Sequence, residues 1–424
     1  MKHFLLRGSK TSVRSSYIWN SIGGMLNACQ SALLLVVISR TNSIEDAGVF
    51  SIAYAIACLA VSMGKFGMRN YQATDLNEKY SYNTYIASRI ITSIAMMLIV
   101  VFYIGKGIWF LDYDSEKCIM VLLLGVMKLF DAIEDIVHGR LQQKGRFDIG
   151  AKCMAIRYII TLSVQAVMLV VTKHLVISTV VSTLCSFAFM LYTFLIVKTL
   201  LERPSERIHM DRNVFLLLAE CLSLALGAFL MMYTTNAPKY AIDEYLGSDI
   251  QACFNYIFMP VNIVSVLSTF IYQPLLTKLA LRWEQRDFNI FMKMFVRQIA
   301  IIIGLVVCVL VGGYFLGIPV LSILYNTDLS EYRLPLMILL TGSGCLALLS
   351  YFSVIITIMR KQKWLMLGYG MISGLSLFMA KLLTKNYGLI GAAVEYLCVV
   401  TLCMVIFGVQ LIIFYKKEKR RKPE

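Results

Sequence analysis

The segment Lys128-Leu129-Phe130-Asp131-Ala132-Ile133-Glu134-Asp135 lies within an otherwise apolar run. Helical spacing puts Lys128, Asp131 and Asp135 on one face at i, i+3 and i+7, with Glu134 about a turn beyond Asp131. A charge at the centre of a membrane span costs about 2.5–3.5 kcal/mol, so such a face must pair internally or line water. Two chemistries fit. One is a salt-bridged set joining helices, with Arg89 or Arg157 as partners; the other is a hydrated lumen or a proton-sensitive gate. Arg89 and Arg157 themselves lie about 13 and 10 Å into their apolar runs, within reach of the surface by snorkelling. Glu220 and Glu395 read as isolated acids, each a candidate ion-coupling group or a bond to a neighbouring helix. Asn27 and Gln30, with Asn20, share one helical face, and Asn255 and Asn262 repeat a seven-residue spacing. Amide stripes of this kind serve as interhelical glue or as a sugar-compatible lining.

The elements that must carry these residues are membrane spans. Of 424 residues, 58% are hydrophobic and 15% charged, against about a quarter charged in a soluble domain. Roughly 20 apolar residues in helix cross a hydrocarbon core of about 30 Å. Runs such as 216–233 are apolar all round, which excludes the alternation of a barrel strand. Reading apolar runs between polar breaks gives twelve spans: 17–38, 47–64, 80–104, 118–138, 150–171, 175–197, 214–236, 250–272, 295–316, 333–358, 364–383 and 388–414. With the N-terminus in the cytoplasm, the cytoplasmic segments hold 29 of the 40 Lys and Arg and the opposite segments 7. That bias predicts both termini inside. It also explains the net charge of +15 and excludes nucleic acid as a partner. The basic tail 416–422 reads as an anchor against anionic lipid. The basic N-terminal stretch leads into a run too long for a cleavable signal, so the first span is expected to stay. The polar break at 198–213 divides the chain into halves, 1–212 and 213–424, of six helices each.

Other chemistry is missing from the pattern. The sequence has no P-loop, HExxH, GxSxG elbow or dinucleotide fingerprint. Its 11 cysteines are scattered without metal spacing. No catalytic residue, metal or cofactor is therefore expected, and the chain reads as a non-enzyme driven by an ion gradient, the membrane potential or its substrate's own gradient.

Five short blocks border the spans in order: Phe66-Gly67-Met68-Arg69-Asn70-Tyr71-Gln72-Ala73-Thr74-Asp75, His138-Gly139-Arg140-Leu141-Gln142-Gln143-Lys144-Gly145-Arg146-Phe147, Asn236-Ala237-Pro238-Lys239-Tyr240-Ala241-Ile242, Gln273-Pro274-Leu275 and Tyr387-Gly388-Leu389-Ile390-Gly391-Ala392-Ala393. In these blocks, and over nearly its whole length, the chain resembles the polysaccharide-export (O-antigen and capsule) flippase branch of the MATE-like MOP exporter superfamily. The resemblance implies an all-α integral membrane protein, about 12 transmembrane helices in two six-helix bundles around a central cavity. It implies that a polyprenyl-diphosphate-linked oligosaccharide is turned from the inner to the outer leaflet of the bacterial plasma membrane by alternating access. Polysaccharide-assembly membrane proteins are a further class of partner, and a monomer is expected. Cations facing the cavity would offset desolvation of the diphosphate. Arg89 and Arg157 come first, followed by Arg14, Arg40 and Lys128. Asn27, Gln30, Asn255 and Asn262 would meet glycan hydroxyls. Asp131, Glu134, Asp135, Glu220 and Glu395 are the gating or ion-coupling candidates. Two alternatives stand beside this reading: a MATE-like cation-coupled multidrug antiporter, and a membrane polysaccharide polymerase or ligase.

Overall fold

A computed structural model describes residues 13–75, 78–197 and 210–420, without the side chains of 13–17, 74, 274, 277 and 362. All regular structure among them is helical. The first seven helices are α1 (Val13–Thr41), α2 (Ile44–Lys65), the short α3 (Met68–Thr74), α4 (Tyr82–Phe110), α5 (Ser115–Gln143), α6 (Phe147–Thr172) and α7 (Leu175–Val197). They are followed by α8 (Arg212–Tyr245), α9 (Ser248–Tyr272), α10 (Leu276–Glu284), α11 (Phe288–Gly312), α12 (Ile318–Tyr325), α13 (Arg333–Ile358) and α14 (Gln362–Arg420).

Polar residues at the breaks start these helices by satisfying orphan N–H groups. Ser43 and Asp46 form a reciprocal capping box on α2, while Ser81, Asp114 and Asp287 cap α4, α5 and α11. Ten stretches are long and apolar enough to span a bilayer. Helix α5 is 29 residues long and falls outside that set because of its charges. Helix α14 runs for 59 residues but breaks at Gly388 (φ 58°, ψ −139°), a conformation open to glycine because it lacks a Cβ. Counting α5, and α14 as two, restores twelve spans.

The chain forms two compact units, residues 1–232 and 233–424. Their boundary lies inside α8. In the first unit α5 is central, with α2, α4, α6 and α7 packed around it and α1 lying along α6. In the second, α13 packs against α9, α11 and α14.

Several spans end elsewhere than expected. Helix α8 continues through Pro238 to Tyr245, so the expected outer loop at 237–249 shrinks to Leu246–Gly247 before α9. Proline is tolerated where the freed carbonyl finds another donor. Gly374 has no atom within 4 Å of the position of a Cβ and so marks no close helix contact. Gly342 and Gly344 are close contacts: a Cβ there would lie 2.8 Å from Tyr396 and 2.6 Å from Val306.

The first two sequence blocks prove to be halves of one structure. Phe66 and Gly67 both adopt the left-handed conformation and turn α2 into α3. Helix α3 lies against α5 so closely that a Cβ on Gly139 would sit 2.2 Å from Gln72 Oε1. Gln143 Nε2 donates to the Asp75 carbonyl at 2.6 Å, and Arg140 pairs with Glu78 at 3.1 Å. Lys144, also 3.1 Å away, together with Arg140 holds the Glu78 carboxyl below its ordinary range.

The charge bias gives a testable orientation. With native cysteines replaced by alanine, Ser330→Cys should react with a membrane-impermeant maleimide on intact cells. Glu284→Cys should react only after permeabilisation; the opposite pattern would reverse the assignment.

Candidate functional site: a buried charge network and polar nest in the first unit

The acidic stretch of α5 meets arginines from the helices on either side. Arg157 of α6 donates Nη2 to Asp131 and Nη1 to Ser186 of α7 at 3.1 Å, and its Nε is 2.9 Å from Glu134 Oε2. Arg89 of α4 donates Nη2 to Asp135 at 3.1 Å and Nη1 to the Gly64 carbonyl at the end of α2. Thr92 joins that carbonyl at 3.0 Å. Lys128 lies 3.2 Å from Asp131, one turn along the same helix. These three cations and three carboxylates are each no more than 7% exposed. Arg69 of α3, half-buried, approaches Asp135 at 3.8 Å and leaves the cluster with one positive charge in excess.

Geometry divides the expected stripe. Asp131 and Glu134 share Arg157, whereas Asp135 turns to Arg89, so the three acids tie α5 to two different neighbours. Neither arginine reaches the surface. Snorkelling is replaced by pairing, because two partly opposed buried charges cost far less than either alone.

Beside the network is a nest of neutral polar groups. Lys128 Nζ donates to Gln30 Oε1 at 2.9 Å, and Tyr54 OH donates to the same oxygen at 3.3 Å. Tyr158 OH lies 3.0 Å from Asn27 Oδ1 and 3.1 Å from Asp131 Oδ2. The Lys128 ammonium stands over the rings of Tyr54 and Tyr158, 5.0 and 5.9 Å from their centroids. Gln30 is fully buried and its Nε2 has no hydrogen-bond partner. The nest therefore combines a cation, amides and aromatic faces, the groups that hold sugars and phosphates.

The other expected residues lie elsewhere. Glu220 is not isolated: Tyr71 donates to it, and Lys79 reaches it at 2.6 Å. Glu395 is fully buried in the second unit, where it accepts from Ser376 at 2.6 Å while its Oε2 has no hydrogen-bond partner. Asn255 donates to the Gln251 carbonyl at 2.9 Å within its own helix, and Asn262 is half-buried. Arg40 is exposed at the end of α1. Arg14 lies in the first turn of α1, and its side chain falls outside the described residues. Tyr54, Tyr158 and Arg69 were not singled out from sequence. The tyrosines could have been, since each carries a hydroxyl into an apolar run. Among the described residues no cluster of His, Cys, Asp and Glu is arranged to hold a metal.

Comparison with known proteins agrees with this architecture. The chain is 24% identical over 412 residues to the capsular polysaccharide biosynthesis protein CapF of Staphylococcus aureus, covering 93% of this chain and 97% of that one. No protein-family profile matches it. Among solved structures, the lipid II flippase MurJ in an inward closed conformation superposes with a TM-score of 0.66 at 16% identity, over 95% of this chain and 90% of MurJ. The fold is that of the MOP-superfamily transporters. A MOP transporter from Pyrococcus furiosus whose binding pocket has reversed polarity gives 0.62 at 12% identity over 99% of both chains. An inward-facing MATE multidrug-resistance transporter gives 0.59 at 12% identity over 96% of both. With this fold and its apolar spans, the chain is a multi-pass membrane protein.

A double-mutant cycle tests the pairing. Asp135→Ala should lower stability by about 3–5 kcal/mol by leaving Arg89 buried without its carboxylate. Arg89→Ala/Asp135→Ala should cost less than the two single changes added together, read as melting in detergent. Additive losses would dissolve the pair.

Proposed function

We propose that this chain is a transporter that flips a polyprenyl-diphosphate-linked oligosaccharide from the inner to the outer leaflet of the bacterial plasma membrane. It would do so by alternating access, in the assembly of a cell-surface polysaccharide. The observation that carries this reading is the end-to-end similarity to CapF, a capsular polysaccharide biosynthesis protein. Fold alone does not choose between drug export and lipid flipping, since MATE proteins and the MurJ flippase share it.

The physical task is to move a hydrophilic glycan and an anionic diphosphate across hydrocarbon while the prenyl tail stays in lipid. A cation must meet the phosphates, and amides and aromatic faces must replace the water on the sugar. We assign Lys128 to the first role, with Arg69 supplying the excess positive charge. Arg89 and Arg157 act from behind, as the cationic side of the paired network. Asn27, Gln30, Tyr54 and Tyr158 take the glycan role, with Asn255 and Asn262 their counterparts in the second half. The expected halves, 1–212 and 213–424, are the bodies that alternate. Glu395, buried with a single hydroxyl donor, is our candidate for ion coupling.

The antiporter reading needs free carboxylates to attract organic cations. Asp131, Glu134 and Asp135 are already neutralised by arginine and lysine, which counts against it. A polymerase or ligase would need a substantial outer segment, and the connection between α8 and α9 is two residues long.

The test is leaflet exchange of a fluorescent polyprenyl-diphosphate oligosaccharide in liposomes containing the purified protein. Exchange above protein-free vesicles is expected, with Lys128→Ala slowing it roughly ten-fold, about 1.4 kcal/mol of lost interaction. Absence of exchange together with proton-dependent extrusion of cationic dyes would replace this reading with the antiporter.

A further inference from the structure

In the second unit an apolar groove of about 410 Å³ runs between α11, α13 and the last part of α14. Phe295, Ile299, Phe352, Ile355, Leu411 and Ile412 form its walls, and its end is marked by Met359, Tyr415 and Lys416. Met359 also borders a second depression of about 500 Å³, which is polar and holds Trp283, Arg286, Arg360, Lys361, Glu284 and Glu418. The apolar groove and the charged depression thus meet at one lining residue, Met359.

Three features identify an occupant. The groove is short: residues 291–299, 352–359 and 408–416 each cover about 12 Å of helix, close to one leaflet of a core of about 30 Å. That suits an acyl chain rather than a long prenyl chain. The depression lies on the face whose loops carry most of the basic residues, the side that positive-inside bias assigns to the anionic cytoplasmic leaflet. Its three cations outnumber its two acids, and Lys416 adds another at the junction. Arg286 lies 3.9 Å from the Glu418 carboxylate and donates to the Glu418 carbonyl at 3.4 Å, and Arg360 lies 3.6 Å from Glu284. Charge-assisted hydrogen bonds to a phosphate run shorter, at about 2.7–2.9 Å.

The backbone supplies an independent observation. Arg286 and Arg360 both adopt left-handed φ, 59° and 58°. Each ends a helix in the same way, with Asp287 N bonding Arg282 O at 3.0 Å and Lys361 N bonding Ile356 O at 3.1 Å. Glycine is the usual residue at that position, and a side chain there is disfavoured. A cation elsewhere in the last turn would serve the helix dipole equally well. Phe66, Lys173 and Asn326 end helices with the same left-handed φ, and Arg286 and Arg360 differ from them in bordering one common depression.

We infer that this composite site binds one anionic glycerophospholipid, its phosphate between Arg286 and Arg360 and one acyl chain in the α11–α13–α14 groove. The site is separate from the polar nest of the first unit and does not rest on the transport assignment.

Lipid retention by the full-length protein, followed by native mass spectrometry in detergent, tests this. Phosphatidylglycerol should be retained about thirty-fold over phosphatidylcholine, the preference expected of two arginines at a membrane surface. Arg286→Gly/Arg360→Gly should abolish that preference without lowering the melting temperature, because glycine suits both backbone positions. Gly408→Leu, which fills the groove and leaves every charge, should also reduce retention. Equal retention of the two lipids, or retention unchanged in both variants, would overturn the site. So would an equal rise in melting temperature with glycerol phosphate alone, which would mean a phosphate site without a lipid.

Discussion

A charge buried in hydrocarbon must meet its opposite, and the first unit is organised by that requirement. Helix α5 carries acids that its own turn cannot neutralise, since Lys128 alone faces Asp131, Glu134 and Asp135. The missing cations come from α4 on one side and α6 on the other. Each helix is tolerable in a membrane only when the others are in place. The network is therefore both an assembly rule for the bundle and the polar surface from which a transport site can be made.

The two units use different means. The first concentrates charge and backs it with Thr92 and Ser186, which supply hydroxyls to the Gly64 carbonyl and Arg157. In the second, aromatic packing is prominent, as in the stacked rings of Tyr256 and Tyr325, 4.1 Å between centroids, and the edge contact of Phe258 with Tyr396. Its buried acid, Glu395, is bonded to a serine rather than to an arginine. The first unit thus carries a positive excess beside its paired charges, and the second a carboxyl with one unmet oxygen.

Much of this was legible beforehand. Span length and charge bias follow from the thickness and dielectric of a bilayer, so twelve spans could be counted from apolar runs. Helix ends were less legible, because an apolar run says where lipid begins rather than where hydrogen bonding stops. Helix α8 runs through Pro238 for this reason, whereas the break at Gly388 falls where the polar stretch 384–387 separates the last two expected spans. The charged face of α5 was visible as a problem, and an ion-paired solution was one of two expected. Tyr54 and Tyr158 were not visible as part of the answer, since tyrosine in a span is as often an interfacial anchor as a buried hydrogen-bonding group.

By itself the sequence determined what each segment is, a helix in lipid, and which of them carry a charge at depth. These are local properties, set by composition over about 20 residues and by the solvent around them. Only the tertiary structure decided which arginine answers which acid, that Glu220 is bonded to Tyr71 and Lys79, and that two separate sequence blocks form one docked turn at Gly139. Pairing depends on how helices distant in sequence are rotated about their axes. A rotation of one residue, about 100°, would turn the same charges towards lipid.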